Sequence, residues 1–232
     1  MNIKKTIKRI PIIGPTIPFI YHFFKPPKPF SGSQDYWIVR YDNNGNSGDG
    51  SYNQLAEFKA ETLNAFVVGN RIESVIEFGC GDGNQLRFSD YPMYLGFDVS
   101  INAIDRCLEL FLHDKTKTFK LMDDYNHEKA ELTLSLDVIY HLVEDEVFED
   151  YMNKLFDSST KYVVIYSSNH ENNSTDTAAH VRHRNFTRWV TEHQAAWELL
   201  KHIPNRHPFD GDNKTGSFAD FYVYGFSDKN KL

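Results

Sequence analysis

Three glycines alternate with Cys80 and Asp82 in the stretch SVIEFGCGDGNQL, residues 74–86. An apolar run rises to Glu77, and Gly79, Gly81 and Gly83 follow. A glycine turn between a strand and a helix offers free backbone N–H groups and a positive dipole end to a ligand. Dinucleotide sites space their glycines G-x-G-x-x-G. Here the spacing is G-x-G-x-G, and two carboxylates, Glu77 and Asp82, stand beside it. Acids in those places repel a pyrophosphate. They suit a ligand with positive charges and no phosphate.

Two later stretches extend the pattern. YLGFDVS places Asp98 nineteen residues after Gly79, at the end of the next strand-like run. An acid there can accept both hydroxyls of a ribose. LMDDYN ends the third run, where Asp123 or Asp124 can take an adenine amino group, with Met122 as apolar neighbour. Acids at the ends of three successive strands converge on one cleft. The ordered set points to S-adenosylmethionine, which carries ammonium, sulfonium, ribose and adenine but no phosphate.

A methyl acceptor must lie on the same side of the sheet. His141, in SLDVIYHL after the fourth run, is the first candidate for a base that takes a hydroxyl proton. A substrate hydrogen bond or a helix-start contact is the plainer alternative. Asp137 and Tyr140 are second-rank, as cofactor, substrate or loop-positioning groups. HVRHRNF, residues 180–186, is the other dense site. Arg182 and Arg184, beside His180 and His183, either grip a phosphate or carboxylate on the acceptor or pair with the acidic body. The two histidines lack a third ligand of convincing spacing. The loop DNNGNSGDG, residues 42–50, fails the calcium pattern, with Ser47 for the invariant glycine and Asn53 for the final glutamate. No metal is expected.

These residues need a scaffold. From residue 74 strand-like and helix-like segments alternate: strands at about 74–79, 93–98, 118–122, 132–137 and 161–167, helices at about 83–89, 101–112 and 144–157. Several strands are almost continuously apolar, which suits a sheet covered on both faces. The alternation predicts an α/β fold with a doubly wound, mostly parallel sheet. A helix at about 53–68 precedes it, and 31–53 reads as loop, dense in Gly, Asn, Ser and Asp. A helix near 185–196 leads to strands at about 197–203 and 218–226, which pair as an antiparallel edge hairpin.

The 232 residues fit one domain, and the net charge is −7. That balance argues against nucleic-acid backbone as a partner. Residues 1–30 hold six Lys and Arg and no acid, so the remaining 202 carry −13. The uncharged run from Ile10 to Phe24 is broken by Pro11, Pro15 and Pro18 and is too short to span a membrane. No small-residue cleavage site follows it. The tail is either an interfacial anchor, basic residues on lipid headgroups, or an arm packed on the domain or a partner subunit. Two cysteines, Cys80 and Cys107, make no disulfide framework and point to a reducing cytoplasm.

The chain resembles the class I S-adenosylmethionine-dependent methyltransferases. VIEFGCGDG is similar to the family's first motif, GFDVS to its second and MDD to its third, over about residues 72–168. The resemblance implies a Rossmann-like sheet of seven strands, the last antiparallel, with residues 71–168 as the cofactor-binding core. It implies that Gly79, Gly81 and Gly83 let the backbone approach the cofactor, that Glu77 orients the loop and the amino-acid moiety, and that Asp98 holds the ribose. Cys80, Asn84, Gln85, Val99 and Ser100 join them in the two turns, and Asp137 after the fourth strand. Residues 31–70 are expected to cap the cofactor, through Tyr36, Arg40 and the 47–51 loop, with Arg40 near its carboxylate. Residues 169–232 supply a substrate-side loop and the final hairpin, with Tyr140, His180, Arg182, His183 and Arg184 toward the acceptor. Chains similar in FKPPKPF, SGSQDYW and EFGCGDGNQL are associated with bacterial surface-polysaccharide synthesis. The expected acceptor is therefore a hydroxyl or phosphoryl oxygen of a sugar or polysaccharide precursor, met in the cytoplasm at the inner membrane face. Methylation of another small molecule or lipid, and cofactor binding without catalysis, are the alternatives.

Overall fold

The computed structural model describes residues 30–175 and 177–227. The chain divides into two compact units, Met1–Phe30 and Ser31–Leu232. The tail lies outside the described residues, and with it the expectation of a membrane anchor. Among the described residues, no helix is long and apolar enough to cross a membrane.

The second unit is built on a seven-stranded sheet. Its strands are β1 (Ser74–Phe78), β2 (Met93–Asp98), β3 (Lys117–Leu121), β4 (Ala130–Leu136), β5 (Ser159–Ser167), β6 (Trp197–Ile203) and β7 (Asp220–Phe226). The order is β3-β2-β1-β4-β5-β7-β6. The first five strands run parallel, and β7 is antiparallel to both β5 and β6. The order reverses between β1 and β4, so the crevice for a ligand opens at the carboxyl ends of those strands.

Among the described residues, five α-helices accompany it: α1 (Ser33–Asp42), α2 (Asn53–Asn70), α3 (Ile101–Leu110), α4 (Asp145–Asp157) and α5 (Phe186–His193). Alternate strand residues feed two cores. Val164 and Tyr166 of β5 join Phe58, Leu63 and Val67 of α2 on one face. Val163 and Ile165 join Phe148, Met152 and Leu155 of α4 and Val190 of α5 on the other. Burial on both faces explains why YVVIY of β5 reads as an unbroken apolar run, while β4 buries Thr133 and Ser135 between its leucines.

The seven strands lie within about two residues of their expected bounds, and the final hairpin pairs as anticipated. Two helical expectations fail. The segment after the glycine turn forms only a 3-10 turn, Gln85–Phe88, between Gly83 at φ +75° and the extended Ser89. And 31–53 is not all loop, because its first half is α1. The turn-forming residues lie only on its flanks, at Gly32 and in 43–50.

Candidate active site

The glycine turn is fixed from the neighbouring strand. The N–H groups of Gly79 and Cys80 both donate to the Phe97 carbonyl, at 2.7 and 3.0 Å. Asp98, at the end of β2, accepts from the N–H of Gly81 and of Ser100, each at 2.9 Å. Burial pushes the Asp98 carboxyl up to about 6, against those two bonds, which favour the ionised form. Glu77 is buried one residue before the end of β1 and accepts a 2.7 Å bond from the Tyr94 hydroxyl. Burial pushes it further, to about 7.

A cavity of about 370 Å³ opens over this turn. Glu77, Gly79, Cys80, Gly81 and Gln85 line its floor. Asp98, Val99, Met122 and Asp123 form one wall, and Asp137 and His141 stand on the β4 side. The Gln85 side chain donates from Nε2 to Ala56 O at 3.0 Å, while its buried Oε1 has no partner in the protein.

Sequence reasoning missed Lys59, which also lines the cavity. Its ammonium is buried 2.6 Å from Asp137 Oδ2, over the ring of Tyr166. Asp137 accepts a second bond, from the Tyr140 hydroxyl at 2.9 Å, and sits at φ +60°, a backbone conformation uncommon outside glycine. The signal was present. Lys59 stands between Leu55 and Leu63 on the buried stripe of α2, where an apolar residue belongs.

Helix α1 and the turn after it form a lid. At one end the Ser33 N–H and hydroxyl both donate to Glu144, at 3.0 and 2.5 Å. At the other end Asp82 accepts from the N–H and hydroxyl of Ser47, at 3.1 and 2.7 Å, and from the Tyr52 hydroxyl at 3.0 Å. Asp82 is thus a latch for the lid rather than a ligand acid. Ser33, Trp37, Tyr41, Ser47 and Ser51 line the cavity from the lid side. Gly81 has φ +58°, and a Cβ there would strike the Ser47 hydroxyl and lie 2.9 Å from the Tyr41 hydroxyl. The glycine is needed for the lid to close.

Several expected contacts lie outside the cavity wall. Arg40 turns back to Asn46, donating to its carbonyl at 2.6 Å and its side chain at 3.1 Å, so it holds the turn rather than facing a carboxylate. Tyr36 stacks on His180 with ring centres 4.1 Å apart. Ser100 caps α3, its side chain accepting from the Ala103 N–H. Asn84 donates to Ser51 O at 2.7 Å and secures the lid. Gly83 packs against Cys107 and Phe111. Of the two acids after β3 only Asp123 lines the cavity; Asp124 is exposed.

The segment around residues 180–184 straps the loop that follows β4. The Arg182 N–H donates to Tyr140 O at 2.7 Å. The Arg182 and Arg184 guanidiniums lie 2.9 and 2.5 Å from Asp145, and both donate to Val143 O. The expected pairing with the acidic body is present, and both arginines also line a second cavity of about 460 Å³ with His183 and Arg188. His183 lies 2.7 Å from the Ser168 hydroxyl and beside His170, away from the cavity over the glycine turn. His141 does line the cavity, and its Nδ1 lies 3.0 Å from His180 O. A carbonyl only accepts, so Nδ1 carries the proton and Nε2 keeps a lone pair. Burial holds the imidazole down at about 4, so it is neutral at pH 7.

No protein-family model matches the chain, and no curated protein matches it in sequence. Solved structures do match. The N-methyltransferase NodS from Bradyrhizobium japonicum WM9, in complex with S-adenosylhomocysteine, has TM-score 0.65 at 12% identity over 84% of this chain and 99% of that one. Magnesium protoporphyrin IX methyltransferase (ChlM) from Synechocystis PCC 6803 with the same product bound gives 0.60 at 14%, over 84% and 97%. The methyltransferase domain of bacterial CtHen1-C gives 0.59 at 17%, over 74% and 98%. At these identities the likeness establishes that the chain has the Rossmann-like, seven-stranded methyltransferase fold.

Proposed function

We propose that this chain transfers a methyl group from S-adenosylmethionine to a hydroxyl of a sugar or polysaccharide precursor. One observation carries the cofactor. The cavity wall holds five carboxyls and two ammoniums. Lys59 pairs with Asp137 at 2.6 Å and Lys154 with Asp150 at 2.5 Å. The three acids left over are Glu77, Asp98 and Asp123, one from the end of each of three successive strands. That excess suits a cationic ligand with no phosphate. The orphaned Gln85 Oε1 adds an acceptor suited to an ammonium.

In this reading Asp98 holds the ribose hydroxyls, Asp123 and Met122 meet the adenine, and Glu77 and Gln85 face the amino-acid end. The bound sulfonium supplies the activated methyl group and its own neutral leaving group. The protein supplies alignment and exclusion of water, and alignment is worth up to about 7–11 kcal/mol. The lid over the glycine turn covers the donor. His141 Nε2 takes the proton of an acceptor hydroxyl. Arg182 and Arg184 do not line this cavity, which favours a hydroxyl over a phosphoryl oxygen as the group presented to the donor. The basic residues 1–30 suit work at the inner face of a membrane, where they would meet anionic headgroups.

A second reading, methylation at nitrogen of a small molecule or lipid, is favoured by the low basicity of His141. An amine brings its own lone pair and asks less of a base. Calorimetry with S-adenosylhomocysteine tests the cofactor, with Asp98→Ala expected to weaken binding at least about tenfold, the loss of a charge-assisted hydrogen bond. A wild-type chain that binds none of it ends the proposal. Turnover against paired hydroxyl and amino sugars then separates the two acceptors.

A further inference from the structure

We propose that Arg184 is the residue that positions His141, by clamping the loop 140–143. The inference rests on the reading of His141 as an acceptor-facing group. The loop has little internal structure. It is one 3-10 turn, Ile139–His141, followed by Leu142 and Val143 in no regular element. The His141 and Leu142 N–H groups close the turn on Val138 O and Ile139 O, at 2.8 and 3.1 Å, and its other main-chain groups are held from outside. The Arg184 side chain donates to Leu142 O at 3.1 Å and to Val143 O at 2.8 Å, and its remaining edge meets Asp145 at the start of α4. From the lid side, the Val143 N–H donates to Ser33 Oγ at 2.9 Å.

The clamp is well placed. The Arg184 side chain is only 12% exposed and lies over the Phe148 ring at 4.7 Å, so it is ordered by packing as well as by charge. A planar fork with several donors can serve two carbonyls and a carboxylate together; a lysine ammonium is a single point of charge on a flexible stem. Arg184 also starts the descent into α5, whose cap is Asn185. Two residues earlier, Arg182 N–H takes Tyr140 O, and His180 O takes the His141 ring. One strap thereby fixes both the loop and the tautomer of the histidine on it. The groups facing the ring are Trp37 of α1, Tyr140 of its own turn and His180 of the strap, with Asp137 and Arg40 acting at longer range.

The test reads His141 directly, without needing an acceptor. Nitrogen-15 NMR of the full chain reports the tautomer and titration of its ring, and calorimetry with S-adenosylhomocysteine reports the donor site. In the wild type the ring should be the Nδ1–H tautomer and remain neutral down to about pH 5. Arg184→Ala should mix the tautomers and move the titration toward the ordinary histidine value of about 6.5, with product affinity kept within about threefold. Arg184→Lys should not restore the wild-type signature. A His141 signal unchanged in Arg184→Ala overturns the proposal. If Arg184→Ala does not fold, Arg184→Gln, which keeps an amide donor for one carbonyl, is read by the same criteria. A chain unfolded by both also overturns it, since Arg184 then serves the fold and not this loop. A wild type that fails to bind S-adenosylhomocysteine defeats the proposed function but leaves the NMR outcome readable.

Discussion

Lys59 Nζ and Asp137 Oδ2 lie 2.6 Å apart at the wall of the cavity, the lysine fully buried in a helix and the aspartate just past the end of β4. The pair ties the helix before the glycine turn to the loop that carries His141. Removing one partner of a buried pair strands the other charge and costs about 3–5 kcal/mol. Lys59→Met should therefore destabilise strongly in urea titration. Lys59→Met with Asp137→Asn should recover part of the loss, because no charge is then left unpaired. A single variant as stable as the wild type would refute the pairing.

The buried acids give a pH signature whose sign can be worked out. Glu77 sits at about 7 and Asp98 at about 6, both above their unfolded values. Between about pH 4.5 and 7 the folded chain therefore binds more protons than the unfolded one, and these groups lose stability as pH rises. His141 and His183, held down at about 4, act in the opposite direction between about pH 4 and 6.5. Total stability mixes the two, so the informative quantity is a difference. Wild type minus Glu77→Gln should fall as pH rises through this window, since the histidine terms cancel. Melting curves at pH 5 and 7.5 measure it. A difference that rises with pH contradicts the desolvation of Glu77 by burial.

The lid makes its own prediction at Gly81. An alanine there is strained by φ +58° and strikes Ser47 and Tyr41. Strain of this kind costs about 1–3 kcal/mol. Gly81→Ala should open the 43–52 turn to limited proteolysis and weaken S-adenosylhomocysteine binding. Ser47→Ala in the same chain removes the closest atom and should restore part of the protection. If Gly81→Ala is as resistant to protease as the wild type, the lid does not rest on this contact.

Such contacts explain what the amino-acid order reveals and what it hides. The strands were legible because sheet burial on two faces leaves an unbroken apolar run in the chain, as in VVIY of β5. Glu77, Asp98 and Asp123 were legible because each stands at the end of a strand, in chain order, beside a turn. Helix α1 was not, because only Ser33 and Tyr41 are buried along it. It is held at its ends by Glu144 and the Asp82–Ser47 latch, partners more than thirty residues away, and it has no apolar stripe for periodicity to detect. The roles of Arg182 and Arg184 were equally hidden. A guanidinium near histidines reads the same in sequence whether it meets a substrate phosphate or Asp145. Asp82 shows the limit at its sharpest. Its position in the glycine turn is that of a ligand acid, yet its oxygens are occupied by Ser47 and Tyr52.

His141 allows the acceptor to be classified before it is identified. The Nδ1–H bond to His180 O leaves Nε2 as the only proton acceptor on a ring whose residue lines the cavity. For a hydroxyl acceptor, loss of a positioned base costs about 10²–10⁴ in rate. For an amine, whose lone pair attacks directly, the cost is small. His141→Ala and His141→Gln should both retain S-adenosylhomocysteine affinity, because in the proposed reading Asp98 and Asp123, on the other wall, would hold the donor. Their product-formation rates against hydroxyl and amino sugars, measured as S-adenosylhomocysteine released, should then diverge. A fall of about a hundredfold or more assigns an oxygen acceptor and makes His141 the base. A fall of less than about tenfold, with cofactor affinity intact, assigns nitrogen and leaves His141 as a wall residue whose ring orients the acceptor.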